Sequence, residues 1–189
     1  MKLRLLNESM EKAPVMKRGP YSYFIHPLTD SIPPLRPELV REVCESIKEH
    51  ARLDVDYIVT LEAMGIHISA VLSQMTGLPI NIIRKRQYGL PGEIVMDQST
   101  GYSKGAMYLN GVRKGDRVMI VDAVISTGGT LIAAIRALKN AGAMVEDVIC
   151  VIERGDGVEK VRQSTGYKVK TLIKIDVTER VKVLGTIDS

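Results

Sequence analysis

The chain has 189 residues, 45% hydrophobic and 25% charged, with two cysteines and no tryptophan, which is enough to bury one core without disulfide or metal staples and too apolar for disorder. No apolar run nears the ~18–20 residues of a membrane span, and Asn7 and Glu8 interrupt the opening residues before a signal peptide could form, so the expected location is the cytoplasm, with Cys44 and Cys150 as buried free thiols. Lys plus Arg exceed Asp plus Glu by 26 to 22, a formal charge of +4: this mild excess does not indicate a nucleic-acid coat and suits a small phosphorylated ligand equally well.

The opening stretch of roughly 20 residues mixes charges without a clear period. Residues 21–37 hold four prolines and predict an irregular connector. Pro37 stands where a helix begins, with Leu39, Val40, Val43, Cys44 and Ile47 at helical spacing. From there the chain alternates. Tyr57–Leu61 predicts a strand, Gly65–Met75 a helix stopped by Gly77, and Pro79–Ile83 a second strand. Arg117–Val121 predicts another strand, then a helix with Leu131, Ala134, Ile135 and Leu138 on one face and Gly142 at its end. Val148–Ile152 reads as a strand, a short helix follows Gly157, and Val169–Ile175 and Val181–Leu184 close the chain as strands. Continuous apolar strands separated by amphipathic helices predict an α/β fold, a mainly parallel sheet covered on both faces, in a single domain over 1–189. Residues 86–105 break the alternation. Gly89, Pro91, Gly92, Gly101 and Gly105 among polar residues predict a stretch without regular pattern, which is either a functional lid or a disordered surface loop.

The strongest local signal is Arg117–Thr130, in which a buried strand runs into Asp122 and Ser126, Thr127, Gly128, Gly129 and Thr130 open the next helix. Glycines let consecutive N–H groups converge on an anion, and the helix N-terminus adds unpaired donors and its dipole. No Lys follows the glycines as in a P-loop, and the dinucleotide spacing is absent. The plainer alternative is a Ser/Thr helix cap with a glycine turn. Asp122, at a strand's C-terminal end, is placed to accept hydrogen bonds from sugar hydroxyls.

Residues 118–130 resemble the phosphoribosyl-pyrophosphate motif of the type I phosphoribosyltransferases. Glu62-Ala63-Met64-Gly65 is similar to the pyrophosphate loop of the purine enzymes. Ile83-Arg84-Lys85 with Leu90-Pro91-Gly92-Glu93 resembles the adenine branch, and Asp97-Gln98-Ser99-Thr100-Gly101 resembles the mobile loop of the hypoxanthine-guanine branch. With Glu153-Arg154-Gly155-Asp156-Gly157 near the end, the pattern looks most like the archaeal-type hypoxanthine/guanine phosphoribosyltransferases.

That resemblance implies the type I phosphoribosyltransferase fold, with a small hood mainly over residues 15–37 plus a C-terminal contribution, a core over about 38–155 and a mobile loop over about 86–105. It implies transfer of phosphoribose from phosphoribosyl pyrophosphate to hypoxanthine or guanine in purine salvage, giving IMP or GMP and pyrophosphate. Mg²⁺ is the implied cofactor and a homodimer the implied assembly, with no nucleic-acid or membrane partner. The 5-phosphate falls on Ser126–Thr130 and the ribose hydroxyls on Asp122, which is also a candidate ligand for the metal carried by the substrate. Arg84 and Lys85 complete the catalytic set by neutralising the departing pyrophosphate. The backbone of Ala63, Met64 and Gly65 approaches the same group, and Glu62 holds that loop. Tyr102 and Lys104 are candidates for closing the lid. Phe24 either stacks on the purine or plugs the core, and Glu153 faces the base.

Four residues depart from the family pattern. Ala123 stands where a second acid is usual, and Ser126 where the hypoxanthine-guanine branch has an aspartate. Met64 replaces an arginine of the adenine branch. Glu153 replaces a base-reading lysine, and a carboxylate cannot donate to a 6-oxo group. Two alternatives stay open: an adenine phosphoribosyltransferase, and a non-catalytic regulator of the same fold that senses purine or phosphoribosyl pyrophosphate.

Overall fold

A computed structural model describes residues 3–19, 21–99 and 104–188. The elements in chain order are α1 (Arg4–Glu11), β1 (Val15–Arg18), β2 (Tyr21–Phe24), α2 (Pro27–Asp30), α3 (Pro37–His50), β3 (Tyr57–Leu61), α4 (Ile66–Thr76) and β4 (Ile80–Ile83). There follow β5 (Ile94–Ser99), β6 (Lys104–Leu109), β7 (Arg117–Ile125), α5 (Gly129–Asn140), β8 (Met144–Arg154), α6 (Gly157–Thr165), β9 (Lys170–Val177) and β10 (Val181–Thr186).

The central sheet has six strands in the order β10-β9-β8-β7-β3-β4. All its pairings are parallel except β10 against β9. The alternation of β7 explains why Val118–Val121 is apolar without a break. Met119, Val121 and Ala123 enter one core cluster with Leu39, Val43 and Ile47 of α3 and Ile68 and Leu72 of α4, while Val118 and Ile120 enter a second with Leu131, Ala134 and Ile135 of α5. The α/β fold and the alternation expected from Pro37 onward are what the structure has. Cys44 and Cys150 are free and buried. Among the described residues no helix is long and apolar enough to cross a membrane.

The chain before Pro37 is more ordered than its sequence pattern predicts. Leu3, Leu6 and Met10 are buried, Leu6 and Met10 on one face of α1, and the Glu42 carboxylate of α3 accepts the N–H groups of Leu5 and Leu6 at 2.9 and 2.8 Å. Helix α1 therefore takes its N-terminal cap from another helix. The proline-rich connector holds β2, paired antiparallel to β1, and α2, where the His26 ring accepts the Leu28 N–H at 3.2 Å and Pro27 sits in the first turn. The Ile32–Pro33 and Glu62–Ala63 peptides are cis.

The expected irregular stretch 86–105 is also corrected. Strands β5 and β6 form an antiparallel ribbon from Ile94↔Leu109 to Ser99↔Lys104. Two backbone bonds between Arg84 and Tyr108, of 2.8 and 2.7 Å, tie it to the end of β4. At its base Glu93 accepts the N–H groups of Tyr88 and Gly89 and the side-chain amide of Asn110.

Candidate active site

Strand β7 ends at Ile125, and the chain turns through Ser126, Thr127 and Gly128 into α5. Gly128 is the N-cap at φ +78°, a conformation open to glycine and strained for other residues. No side-chain bond caps α5, so the plain Ser/Thr cap is not what this turn forms. Among the described residues the first N–H groups of the helix stand without protein acceptors, at a turn where Thr127 is exposed and Ser126, Gly129 and Thr130 are partly exposed. Uncapped donors at a surface-facing helix N-terminus form an anion site.

A second glycine turn backs this loop. A Cβ on Gly128 would lie 2.7 Å from the Gly157 carbonyl oxygen, and one on Gly157 would meet the Ser126 carbonyl oxygen and lie 2.8 Å from the Gly128 nitrogen. Gly157 was not among the site candidates. The signal for it was the glycine pair Gly155 and Gly157 directly after a strand, which lets two backbones touch.

Asp122 lies on β7 below the turn. Its Oδ1 accepts the Ala123 N–H at 2.8 Å. Burial of the carboxyl raises its pKa from 3.8 to about 7, and the Ala123 bond partly offsets that rise. Gly65 of the Glu62–Gly65 loop packs directly against this carboxylate: a Cβ there would lie 3.1 Å from Asp122 Oδ1 and 3.2 Å from the Val121 carbonyl, and would run into Thr60 Oγ1. Thr60 donates to Val121 O at 2.8 Å, fixing β3 against β7 beneath the contact. Met64 packs its side chain on the apolar core and Ala63 is exposed, so the loop presents backbone outward. Ala123 is fully buried within the α3–α4 cluster.

At the ends of the neighbouring strands β3 and β4, Glu62 Oε2 accepts the Lys85 N–H at 3.1 Å and lies 3.0 Å from Arg84 Nε. The latter contact is ionic and lacks hydrogen-bond alignment, since Arg84 Nε has no hydrogen-bond partner. Arg84 is half-exposed and Lys85 exposed. The structure thus brings together Ser126–Thr130, Asp122 and Gly65 on one side, and Glu62, Arg84 and Lys85 on the next strands of the same sheet edge.

The other candidates fare differently. Phe24 is 5% exposed, inside the core cluster with Leu28, its ring stacked on Tyr23 at 6.2 Å. It is the core plug, and its buried ring has little face left for a purine. Glu153 is not a free acceptor: Thr171 donates to its Oε2 at 2.8 Å, and Lys174 Nζ lies 2.7 Å from its Oε1. Tyr102 lies outside the described residues, as does the side chain of Lys104, whose backbone opens β6.

With an uncapped helix N-terminus, a carboxylate on the strand before it and the cations Arg84 and Lys85 just past β4, the chain also matches the model of the phosphoribosyl transferase domain over residues 34–184. The chain belongs to the phosphoribosyl transferase family. This phosphoribosyltransferase is 57% identical over 187 residues to a hypoxanthine/guanine phosphoribosyltransferase of Methanocella paludicola, covering 98% of this chain and 97% of the relative. It is 59% identical over 175 residues to the enzyme of the same name from Methanocaldococcus infernus, covering 92% and 96%. Its fold superposes on the crystal structure of adenine phosphoribosyltransferase from Thermoanaerobacter pseudethanolicus with a TM-score of 0.72 at 24% identity, over 90% of this chain and 98% of that one.

Proposed function

We propose that this protein works in purine salvage, transferring phosphoribose from phosphoribosyl pyrophosphate to hypoxanthine or guanine and releasing pyrophosphate with IMP or GMP. The observation that carries this reading is the uncapped start of α5 behind Gly128, with the Asp122 carboxylate on the same strand. The relatives named hypoxanthine/guanine phosphoribosyltransferase support the choice of base.

In this reaction the bond from C1 of the ribose to a pyrophosphate oxygen breaks, a purine ring nitrogen forms the new bond to C1, and the ring proton leaves. The N–H groups of Gly129 and Thr130, with the hydroxyls of Ser126, Thr127 and Thr130, hold the 5-phosphate. Asp122 accepts from the ribose hydroxyls and fixes the sugar beside its phosphate. Positive charge grows on the ribose as negative charge grows on the leaving group. Arg84, Lys85 and the backbone of Ala63–Gly65 meet that negative charge, while Glu62 keeps Arg84 at the strand end.

A Mg²⁺ ion carried by the substrate would be held by Asp122, a carboxylate on β7 just before the Ser126–Thr130 turn. Such an ion supplies charge neutralisation of the pyrophosphate. The β5–β6 ribbon serves as the lid that excludes water from the electrophilic ribose, with Tyr102 and Lys104 as its closing residues by resemblance. A homodimer in the cytoplasm completes the reading.

The test is to incubate purified protein with Mg²⁺, phosphoribosyl pyrophosphate and each of hypoxanthine, guanine, xanthine and adenine, and to separate the products. IMP and GMP are expected. AMP alone would make it an adenine enzyme, and no nucleotide despite donor binding would make it a binding protein of this fold.

A further inference from the structure

Arg84 follows β4, but the central sheet does not hold its backbone. The pairing of β4 with β3 ends at Leu61↔Ile83, one residue earlier. Both backbone groups of Arg84 turn to the ribbon instead: its N–H donates to Tyr108 O at 2.8 Å, and its carbonyl accepts the Tyr108 N–H at 2.7 Å. The cation assigned to the leaving group is therefore in register with β6, and its place depends on where the base of the ribbon sits.

A two-stranded ribbon is only marginally stable by itself, so that base needs ties to the body. One tie is apolar. Met96, Met107 and Leu109 enter the core cluster with Leu131, Ala134 and Ile135 of α5. The other is polar and converges on Glu93, the residue before β5. Its Oε2 accepts the Tyr88 N–H and the Asn110 side-chain amide, both at 2.9 Å, and its Oε1 accepts the Gly89 N–H at 3.1 Å. Asn110, just past β6, takes the Asn81 side-chain amide on its backbone oxygen at 2.8 Å, which leads back to β4. The bonds from Asn110, Tyr88, Gly89 and the Gln87 side chain hold the Glu93 carboxyl below the ordinary glutamate range, the one from Asn110 most strongly.

A ring thus closes around the cation. It runs from Arg84 to Tyr108 by backbone bonds, along the chain to Asn110, across to Glu93, across again to Tyr88, and along the chain back to Arg84. Glu93 is the side chain at which its two arms meet. We propose that Glu93 is a positioning residue: by locking the base of the ribbon to the loop after β4, it holds Arg84 where pyrophosphate departs. This rests on the transfer reaction proposed above. Glu93 acts through Arg84, not on the substrate. The Lys85 N–H is fixed separately, on Glu62, so the effect of Glu93 falls on Arg84.

The experiment compares the full-length wild type with E93A, E93Q, N110A, R84A and the double variant E93A/R84A. Calorimetry gives the affinities for pyrophosphate with Mg²⁺ and for ribose 5-phosphate, and steady-state kinetics with hypoxanthine give kcat and purine KM. E93A is expected to weaken pyrophosphate binding and lower kcat together, between about ten- and a hundred-fold, the loss that follows a displacement of about 1 Å. Ribose 5-phosphate affinity and purine KM should stay as in wild type. E93Q, which keeps one acceptor oxygen, and N110A should lose less. The double variant should be no worse than R84A, because a residue that acts through Arg84 then has nothing left to position. Losses that multiply in the double variant, an equal weakening of ribose 5-phosphate, or unchanged pyrophosphate affinity in E93A would each overturn the proposal. If E93A does not fold, E93Q and E93Q/R84A take its place under the same criteria. A wild type that binds pyrophosphate and forms no nucleotide removes the transfer reading alone, and pyrophosphate affinity in E93A then decides the role of Glu93. A wild type that binds no pyrophosphate removes the role of Arg84 and this proposal with it.

Discussion

Gly128 and Gly157 meet backbone to backbone, so close that a Cβ on Gly128 would lie 2.7 Å from the Gly157 carbonyl oxygen. The turn that opens α5 is therefore braced by the turn that opens α6, with no side chain between them. Gly157→Ala is expected to lower thermal stability by about 1–3 kcal/mol and to raise donor KM, because its Cβ strikes the Ser126 carbonyl and the Gly128 nitrogen, which cannot swing aside as a side chain can. Gly166→Ala is the control: its φ of +81° strains an alanine, but nothing lies within 4 Å. It should cost stability and leave donor KM where it was. Melting curves and steady-state kinetics on the two variants separate the effects.

With Asp122 as the proposed ribose acceptor, donor binding is expected to depend on pH. Burial raises its folded pKa to about 7, above the 3.8 of an ordinary aspartate, so between those values the folded chain holds a proton that the unfolded chain has lost. Stability from this group therefore falls as pH rises from about 4 to 7 and stays lost above 7. Asp122→Asn is expected to melt above wild type at pH 8, with the difference closing by pH 5. The ionised form is the better acceptor for ribose hydroxyls, so wild-type donor KM should rise as pH drops below about 7. That profile should be flat in Asp122→Asn.

Arg84 is proposed to meet the leaving group, so its removal should be felt in the transition state. Arg84→Ala is expected to lower kcat about a hundred-fold while purine affinity changes little, the size seen when one charge-stabilising donor is removed. Equal losses in kcat and in purine binding would contradict its place opposite the pyrophosphate.

Glu42 tests the N-terminal architecture. Its two oxygens take the N–H groups of Leu5 and Leu6 at 2.9 and 2.8 Å. Glu42→Ala is expected to cost about 1–2 kcal/mol of stability and to speed exchange of the α1 amides, with kinetics at saturating substrate unchanged. Hydrogen exchange of Leu5 and Leu6 reads this directly.

The sequence was most legible where structure is decided locally. Pro37 starts a helix by its fixed φ, Gly77 ends one in the left-handed region at φ +75°, and Val118–Val121 of β7 is apolar because both its faces are covered. The phosphate turn was legible for the same reason, since Gly128 and the helix that follows are contiguous. What escaped depends on distant partners. Helix α1 is capped by a residue 37 positions away, and the β5–β6 ribbon is fixed to the sheet through Arg84 and Tyr108. The partner that changes the meaning of Glu153 lies on the next strand. Phe24 was placed near the base by resemblance, and a resemblance does not say which way a ring points.

The central claim is that the N–H groups opening α5 grip the 5-phosphate of an activated sugar. Its most direct test follows the amide resonances of Gly129 and Thr130 while phosphoribosyl pyrophosphate is titrated in. Both should shift to lower field and saturate together, ribose 5-phosphate should reproduce the shift, and Gly128→Ala should abolish it. A donor that binds while both amides stay where they were would contradict the account.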